Sequence, residues 1–153
     1  MPSAINVRAM TFEDIDRVYE IEREIFPNPW PKSFFESDLS LNRTVGLVAE
    51  FDGRVTGYAL AACADIEFHI TNVGVDGRCQ RRGIASRLMN ELETIARERG
   101  CNHAYLEVRV DNYPAIELYL KLGFVILYTR RCYYLDGTDA HVMYKKYGND
   151  PVS

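Results

Sequence analysis

The sequence predicts an α/β or α+β domain built around one mixed β-sheet. Segments with the alternation of strands are interspersed with segments whose apolar residues recur at helical spacing. Asp52-Gly53 separates two apolar, strand-like runs, as in a β-hairpin. The 153 residues, 47% of them hydrophobic, are enough to form one core. We therefore expect a single domain over residues 1–153.

The N-terminal segment is expected to form a strand and two helices. "INVRAM" has the pattern of a short strand, and Thr11 with Asp14 can form a capping box that opens a helix running to about Phe26. The stretch "FPNPWP" ends that helix, because three prolines within five positions cannot continue it. Pro31 is suited to begin a second, shorter helix.

Strands dominate the middle of the chain. The runs "TVGLVAEF" and "RVTGYALAAC" flank Asp52-Gly53, and both of these residue types tolerate the positive φ that a tight hairpin turn requires. A third strand is predicted from about Ile66 to Val75. It leads directly into the loop "GRCQRR".

Helices and strands alternate beyond this loop. Apolar residues after Gly83 recur at helical spacing and predict a helix that Arg99-Gly100 ends: Ile84, Leu88, Leu92, Ile95 and Ala96. "HAYLEVRV" alternates as a half-buried strand with Glu107 on the face opposite the core. A short helix from about Tyr113 to Leu122 and two strands, "FVILYTRR" and "AHVMYKK", complete the fold.

Composition excludes several classes of function. With 22 acidic residues against 18 Lys and Arg, the net charge of −4 argues against a dedicated nucleic-acid-binding protein. No apolar run approaches the ~20 residues of a membrane-spanning helix and no secretory signal is evident, so we expect a cytoplasmic protein. The four cysteines form no CxxC pair and the three histidines lack ligand spacing, so neither a disulfide framework nor a metal site is expected.

A basic cluster contrasts with this acidic background. Arg78, Arg81, Arg82 and Arg87 fall within ten residues that contain no acid. Backbone N–H groups at the start of the following helix favour an anion, and Gly83 has no side chain to keep a ligand from the main chain. A solvated helix end is the alternative. Because neither GxxxxGK[ST] nor GxGxxG occurs, the cluster favours another kind of pyrophosphate-bearing ligand.

The loop carries a resemblance to a known family. "QRRGIA", residues 80–85, fits the Q/R-x-x-G-x-G/A signature of GNAT acyltransferases, in which this loop holds the pyrophosphate of acetyl-CoA. Four further stretches resemble the RimI-type and archaeal protein N-terminal acetyltransferases: "FPNPWPKSFF", "NVGVD", "YLEVRVDNYPAIELYLKLGF" and "YYLDGTDAHVM". The resemblance covers roughly residues 7–143. It implies a twisted mixed, mostly antiparallel sheet of about seven strands, whose fourth and fifth strands splay apart to admit the cofactor.

The resemblance also implies which residues bind acetyl-CoA. Val73 and Val75 would offer backbone groups to the acetyl-pantetheine arm, and the Val75 N–H would polarise the thioester carbonyl. Asn112 matches an asparagine that contacts the pantetheine in relatives. Ala85 stands where many members have glycine, a variant that is common in the archaeal branch. The pyrophosphate would be wrapped by Gln80, Arg81, Arg82, Gly83, Ile84, Ala85 and Ser86.

Glu107 and Tyr119 are the expected catalytic residues. Glu107 matches the glutamate assigned as general base in the RimI-type enzymes, and it would take the ammonium proton directly or through one water. Tyr119 matches the tyrosine beside the CoA sulfur and would protonate or hydrogen-bond the leaving thiolate. The alternatives are a solvated strand glutamate and a core tyrosine. An acetyl-cysteine intermediate on Cys79 is not expected, because no paired histidine is evident and the family transfers directly.

The acceptor amine is expected to enter opposite the cofactor, between two walls. The resemblance assigns these walls to the loop between the first two helices and to the last hairpin, although ordinary packing also suits aromatic side chains there. Archaeal relatives often have a glutamate where this sequence has Asn28, so either the accepted first residue should differ or a second base acting through water should be weakened. The expected wall residues are Phe26, Pro27, Asn28, Trp30, Tyr133 and Tyr134.

The leading interpretation is a protein N-α-acetyltransferase that uses acetyl-CoA, with ribosomal or nascent proteins as candidate substrates. An α-amine with a pKa of ~7.7–8.0 is partly neutral near neutral pH, whereas a lysine at ~10.4 is almost fully charged. A lysine or small-molecule amine acetyltransferase is the second interpretation. A CoA-binding regulatory module is the third, and the presence of both Glu107 and Tyr119 disfavours it. Neither nucleic acid nor a membrane is an expected partner, and the chain is expected to be a monomer.

Overall fold

The computed structural model describes residues 4–148, so the first three and last five residues of the predicted domain lie outside the described range. Two 3₁₀ turns, Phe12–Asp14 and Gly77–Cys79, accompany the main elements. These are β1 (Asn6–Ala9), α1 (Ile15–Ile25), α2 (Lys32–Leu39), β2 (Thr44–Phe51), β3 (Arg54–Ala64), β4 (Glu67–Val75), α3 (Ile84–Glu98), β5 (His103–Arg109), α4 (Tyr113–Lys121), β6 (Val125–Arg130) and β7 (Ala140–Lys146).

The strands form one mixed sheet in the order β1-β2-β3-β4-β5-β7-β6. All neighbouring pairs are antiparallel except β4 and β5, which are parallel. Asp52 and Gly53, between β2 and β3, have φ of 56° and 73°, as the predicted hairpin turn requires. The predicted fold class, the strand count and the mixed sheet are confirmed.

The start of α1 follows from the predicted capping box. The Thr11 N–H donates to Asp14 Oδ2 at 2.8 Å, and the chain makes one 3₁₀ turn before the α-helix begins. Arg8 donates to the same carboxylate at 2.9 Å and lowers the pKa of Asp14. The helix ends at the Phe26 cap, and the prolines that follow separate α1 from α2 as predicted.

The sheet lies between two apolar clusters. Alternate residues of β3 point to opposite faces, so that Ala59 and Ala61 enter one cluster while Tyr58 and Leu60 enter the other. The apolar side of α3 packs in the first cluster, and α1 and α2 pack in the second. Each fully buried aliphatic or aromatic side chain there contributes about 1.5–3 kcal/mol. Helices thereby cover both faces of the sheet at β3, the neighbour of the strand that borders the site.

The parallel strands part at the centre of the sheet. Pairing between β4 and β5 runs from Glu67↔His103 to Ile70↔Leu106, and residues 71–75 of β4 have no partner on β5. This is the splay that the family resemblance implies. No helix among residues 4–148 is long and apolar enough to cross a membrane.

Candidate functional site

A cleft of about 870 Å³ opens where β4 and β5 part. Residues 70–75 of β4 form one side, residues 106–109 of β5 and part of α4 form the other, and the start of α3 closes one end. The loop after α1 borders the cleft as well. Clefts of roughly 300–1,000 Å³ are typical of small-molecule and cofactor sites.

The end of the cleft at α3 is suited to an anion. Gly83 caps this helix with φ of 79°, a conformation that favours glycine, and no protein atom lies within 4 Å of the position that a Cβ would occupy. The first intrahelical bond is from Arg87 N–H to the Gly83 carbonyl. The N–H groups of Ile84, Ala85 and Ser86 therefore have no intrahelical acceptor, and all three residues line the cleft.

A buried carboxylate fixes the approach to this helix. Asp76, 3% exposed, accepts hydrogen bonds from the Arg78 backbone N–H at 3.0 Å and from Arg17 Nη2 at 2.6 Å. Hydrogen bonds from Arg78 and Arg17 hold the pKa of Asp76 well below its usual range. Arg17 also donates to the Val55 carbonyl at 2.9 Å, so α1, β3 and the loop are tied together. Sequence reasoning missed Arg17 and Asp76. An Asp that ends a strand just before a turn is the capping pattern that could have indicated Asp76.

Most of the residues expected to bind the cofactor do line the cleft. The exception is Arg82, whose guanidinium lies over the Phe51 ring, 5.2 Å from its centroid, and which is not among the lining residues. Asn112 caps α4 by accepting a hydrogen bond from the Ala115 N–H at 3.3 Å. The lining residues from that expected set are Val73, Val75, Gln80, Arg81, Gly83, Ile84, Ala85, Ser86, Asn112 and Tyr119.

Glu107 is held in the cleft by a histidine. Its side chain is 14% exposed, and its Oε1 lies 2.7 Å from Nε2 of His69 on β4. The two residues share a face because the parallel register sets His69 opposite Tyr105, two positions before Glu107. The hydrogen bond to Glu107 raises the pKa of His69. Within residues 4–148, no three His, Cys, Asp or Glu side chains are placed together to hold a metal ion.

Tyr119 projects from α4 into the apolar interior at the cleft. It is 8% exposed and packs near Phe124, with the ring centroids 6.1 Å apart. Burial raises the pKa of Tyr119 to about 12. Its hydroxyl therefore remains protonated near neutral pH and can act as a hydrogen-bond or proton donor.

Comparison with known proteins gives a family whose members are acetyltransferases, in agreement with the geometry of the cleft. Residues 15–124 match the model of the acetyltransferase (GNAT) family. The chain belongs to the GNAT acetyltransferase family. An uncharacterized N-acetyltransferase of Methanocaldococcus jannaschii is 38% identical to it over 94% of this chain and 92% of the relative. The N-alpha-acetyltransferase RimI of Mycobacterium tuberculosis is 35% identical over 95% and 94%. The crystal structure of the ribosomal-protein-S18-alanine N-acetyltransferase from Escherichia coli superposes with a TM-score of 0.89, at 28% identity over 98% of each chain.

In this GNAT chain the expected amine walls are only partly assembled. Phe26, Pro27, Asn28 and Trp30 line the cleft, and so does Tyr134. Tyr133 does not line the cleft; its ring centroid lies 4.8 Å from the Arg130 guanidinium and 5.0 Å from that of Tyr134.

Glu22 is one of several residues lining the GNAT cleft that were not predicted as site residues. Glu22 lies on the buried face of α1, is 2% exposed and lines the cleft. Its carboxylate accepts hydrogen bonds from Tyr58, Asn72 and the Trp30 backbone N–H. The available signal was a charged residue on the apolar face of a predicted helix, which is uncommon unless the residue is paired.

Proposed function

We propose that this GNAT chain transfers the acetyl group of acetyl-CoA directly to the α-amino group of protein N-termini. The supporting observation is one cleft that joins an anion-binding helix start to a carboxylate and a protonated phenol, Glu107 and Tyr119. Similarity over most of the chain to an enzyme named as an N-alpha-acetyltransferase supports the acceptor class.

The residues present fit acetyl-CoA. The free N–H groups at the start of α3 suit a pyrophosphate, and the open space beside Gly83 lets it approach the main chain. The unpaired edge of β4 at residues 71–75 suits an extended amide chain such as pantetheine, with Val73, Val75 and Asn112 as its contacts. When bound, acetyl-CoA supplies an activated acetyl thioester.

The chain's own groups supply proton transfer and polarisation. The Val75 N–H would donate to the carbonyl oxygen of the acetyl group, where negative charge would develop. Glu107 accepts the proton that the acceptor ammonium loses, and His69 orients the Glu107 carboxylate through the 2.7 Å contact. Tyr119 would donate a hydrogen bond or its proton to the CoA sulfur as that sulfur leaves. Because an α-amine loses its proton far more readily than a lysine, a modest base suffices.

The acceptor side of the cleft suits an extended peptide, as the N-terminus of a protein substrate would be. Phe26 and Trp30 on one side and Tyr134 on the other give aromatic surfaces along the cleft, and the indole N–H of Trp30 and the hydroxyl of Tyr134 are available for hydrogen bonds to a peptide. Ribosomal or nascent proteins are the proposed substrates, and the chain acts as a single-domain, cytoplasmic monomer.

A matched pair of peptides tests the acceptor class. One peptide has a free α-amine and no lysine, and the other has an acetylated α-amine and one internal lysine, with the same remaining sequence. After incubation with purified protein and acetyl-CoA, mass spectrometry should show the first peptide heavier by about 42 Da, one acetyl group in place of a hydrogen, and the second peptide unchanged. Acetylation confined to the lysine peptide would contradict the proposal, and acetyl-CoA binding without any product would favour a regulatory module.

A further inference from the structure

Glu22 is a nearly fully buried carboxylate that has no part in the chemistry above. Its Oε1 accepts hydrogen bonds from the Tyr58 hydroxyl at 2.6 Å and from Asn72 Nδ2 at 2.9 Å, and its Oε2 accepts from the Trp30 backbone N–H at 3.0 Å. Burial, followed by the nearby Glu22 carboxylate, raises the pKa of Tyr58 far above its usual value, so the phenol remains a donor. Three donors on three different segments therefore converge on one side chain.

Glu22 closes the substrate-side loop at both of its ends. Its backbone carbonyl accepts from the Phe26 N–H at 3.1 Å, and its side chain accepts from the Trp30 N–H at 3.0 Å. Between these residues, Pro27 and Pro29 have no N–H to donate. Of the three backbone donors in residues 26–30, two are thus bound by Glu22. The first of these is the backbone bond that ends α1, so the bond to Trp30 is the contact that depends on the Glu22 side chain.

The same carboxylate connects that loop to the parted strand. Asn72 lies in the segment of β4 that has no partner on β5, next to Val73 in the proposed pantetheine contact. The Trp30 ring packs on Phe35 at 5.2 Å, and Phe35 packs edge-on against Tyr58 at 6.1 Å. Trp30 is therefore held by its backbone through Glu22 and by its ring through Phe35.

We infer that Glu22 is a positioning residue that fixes the loop of residues 26–30 as the wall for the first residue of the acceptor peptide. The inference rests on the proposed function. Loss of the bond to Trp30 frees the loop while the anion site at α3 remains intact. The affinity for the peptide should fall, the discrimination between first residues should weaken, and binding of acetyl-CoA should persist.

Glu22→Gln tests this role, with Tyr58→Phe as the matched control. Glutamine replaces one oxygen by an NH₂ group, so it cannot accept from Trp30 and from the Tyr58–Asn72 pair at once. We expect the peptide KM to rise about tenfold or more, with kcat changed less and the acetyl-CoA KM within about twofold. Tyr58→Phe removes one donor to Glu22 but keeps both loop bonds, so its peptide KM should stay within about twofold of the wild type.

Two kinetic results would overturn the inference. An unchanged peptide KM and unchanged first-residue preference in Glu22→Gln would show that the loop does not depend on Glu22. Equal increases of the peptide KM in both variants would show only general loss of packing. If Glu22→Gln does not fold, Glu22→Asp serves instead, because it keeps the charge and shortens the reach to the Trp30 N–H by one methylene.

Fluorescence gives a readout that needs no activity. Trp30 is the single tryptophan of the chain, so emission excited at wavelengths where the ten tyrosines absorb little reports this loop alone. Acrylamide should quench Trp30 more strongly in Glu22→Gln than in the wild type or in Tyr58→Phe. Equal quenching in all three proteins would contradict the inference. A wild type that acetylates no α-amine would instead contradict the proposed function, while leaving the quenching comparison valid.

Discussion

Replacing Gly83 by alanine adds one methyl group at the proposed pyrophosphate site. The methyl would meet no protein atom within 4 Å, so its steric effect falls on a ligand rather than on the fold. The φ of 79° still strains a residue that has a Cβ, at a cost of about 1–2 kcal/mol. For a chain of this length, each kcal/mol lowers the Tm by about 2–4 °C.

The opposite end of the same helix provides a matched control. Gly100 has φ of 83°, and a Cβ there would also meet nothing within 4 Å. Gly100→Ala should therefore lower the Tm by about the same 2–8 °C as Gly83→Ala. Only Gly83→Ala should weaken CoA binding, by about 10- to 100-fold, because displacing the anion forfeits charge-assisted bonds of about 1.5–3 kcal/mol.

Thermal unfolding and titration calorimetry with CoA measure the two effects separately. Wild-type CoA affinity in both Gly83→Ala and Gly100→Ala would refute the assignment of the anion to the start of α3. A comparable loss of affinity in both variants would also refute it, since strain alone would then account for the effect.

Further predictions concern the catalytic groups. Glu107→Gln should lower kcat by about 100-fold or more in steady-state kinetics while leaving the Kd for acetyl-CoA unchanged in calorimetry. An unaltered kcat and pH–rate profile would refute the assignment of Glu107 as the general base. Tyr119→Phe should depress kcat more than acetyl-CoA affinity in the same measurements, and the reverse result would make Tyr119 a packing residue. His69 has a raised pKa, so its stabilising pair with Glu107 is fully present below about pH 6.5 and is lost as the pH rises through the folded-state value. Since the His69 side chain is 47% exposed, His69→Asn should lower the free energy of unfolding by only about 0.2–1 kcal/mol near pH 6. The loss should be smaller near pH 9, where a neutral imidazole keeps only its hydrogen bond to Glu107, and equal losses in denaturant unfolding at both pH values would contradict the charged pairing.

Local patterns were sufficient to predict the elements of this fold. The Thr11–Asp14 capping box, the Asp52-Gly53 turn and the alternation of "HAYLEVRV" depend on contacts within a few residues. Each appears in the structure where the sequence predicted it. Residues whose role depends on one element, such as Gly83 at the start of α3, could be assigned for the same reason.

Contacts between distant segments could not be predicted in this way. The pair of His69 and Glu107 depends on the parallel register of β4 and β5, which no local pattern sets. Glu22 meets Asn72 only once α1 has packed on the sheet. The position of the Arg82 side chain shows the same limit, because its place in the signature motif did not indicate that its guanidinium lies over Phe51.

Amide hydrogen exchange with and without acetyl-CoA tests the central claim most directly. We predict slower exchange at residues 84–86, at Val73 and at Val75, where N–H groups without a partner in the sheet or helix face the cleft, and no change at residues 99–102 beyond the far end of α3. Protection confined to any other part of the chain, or no protection under saturating acetyl-CoA, would contradict it.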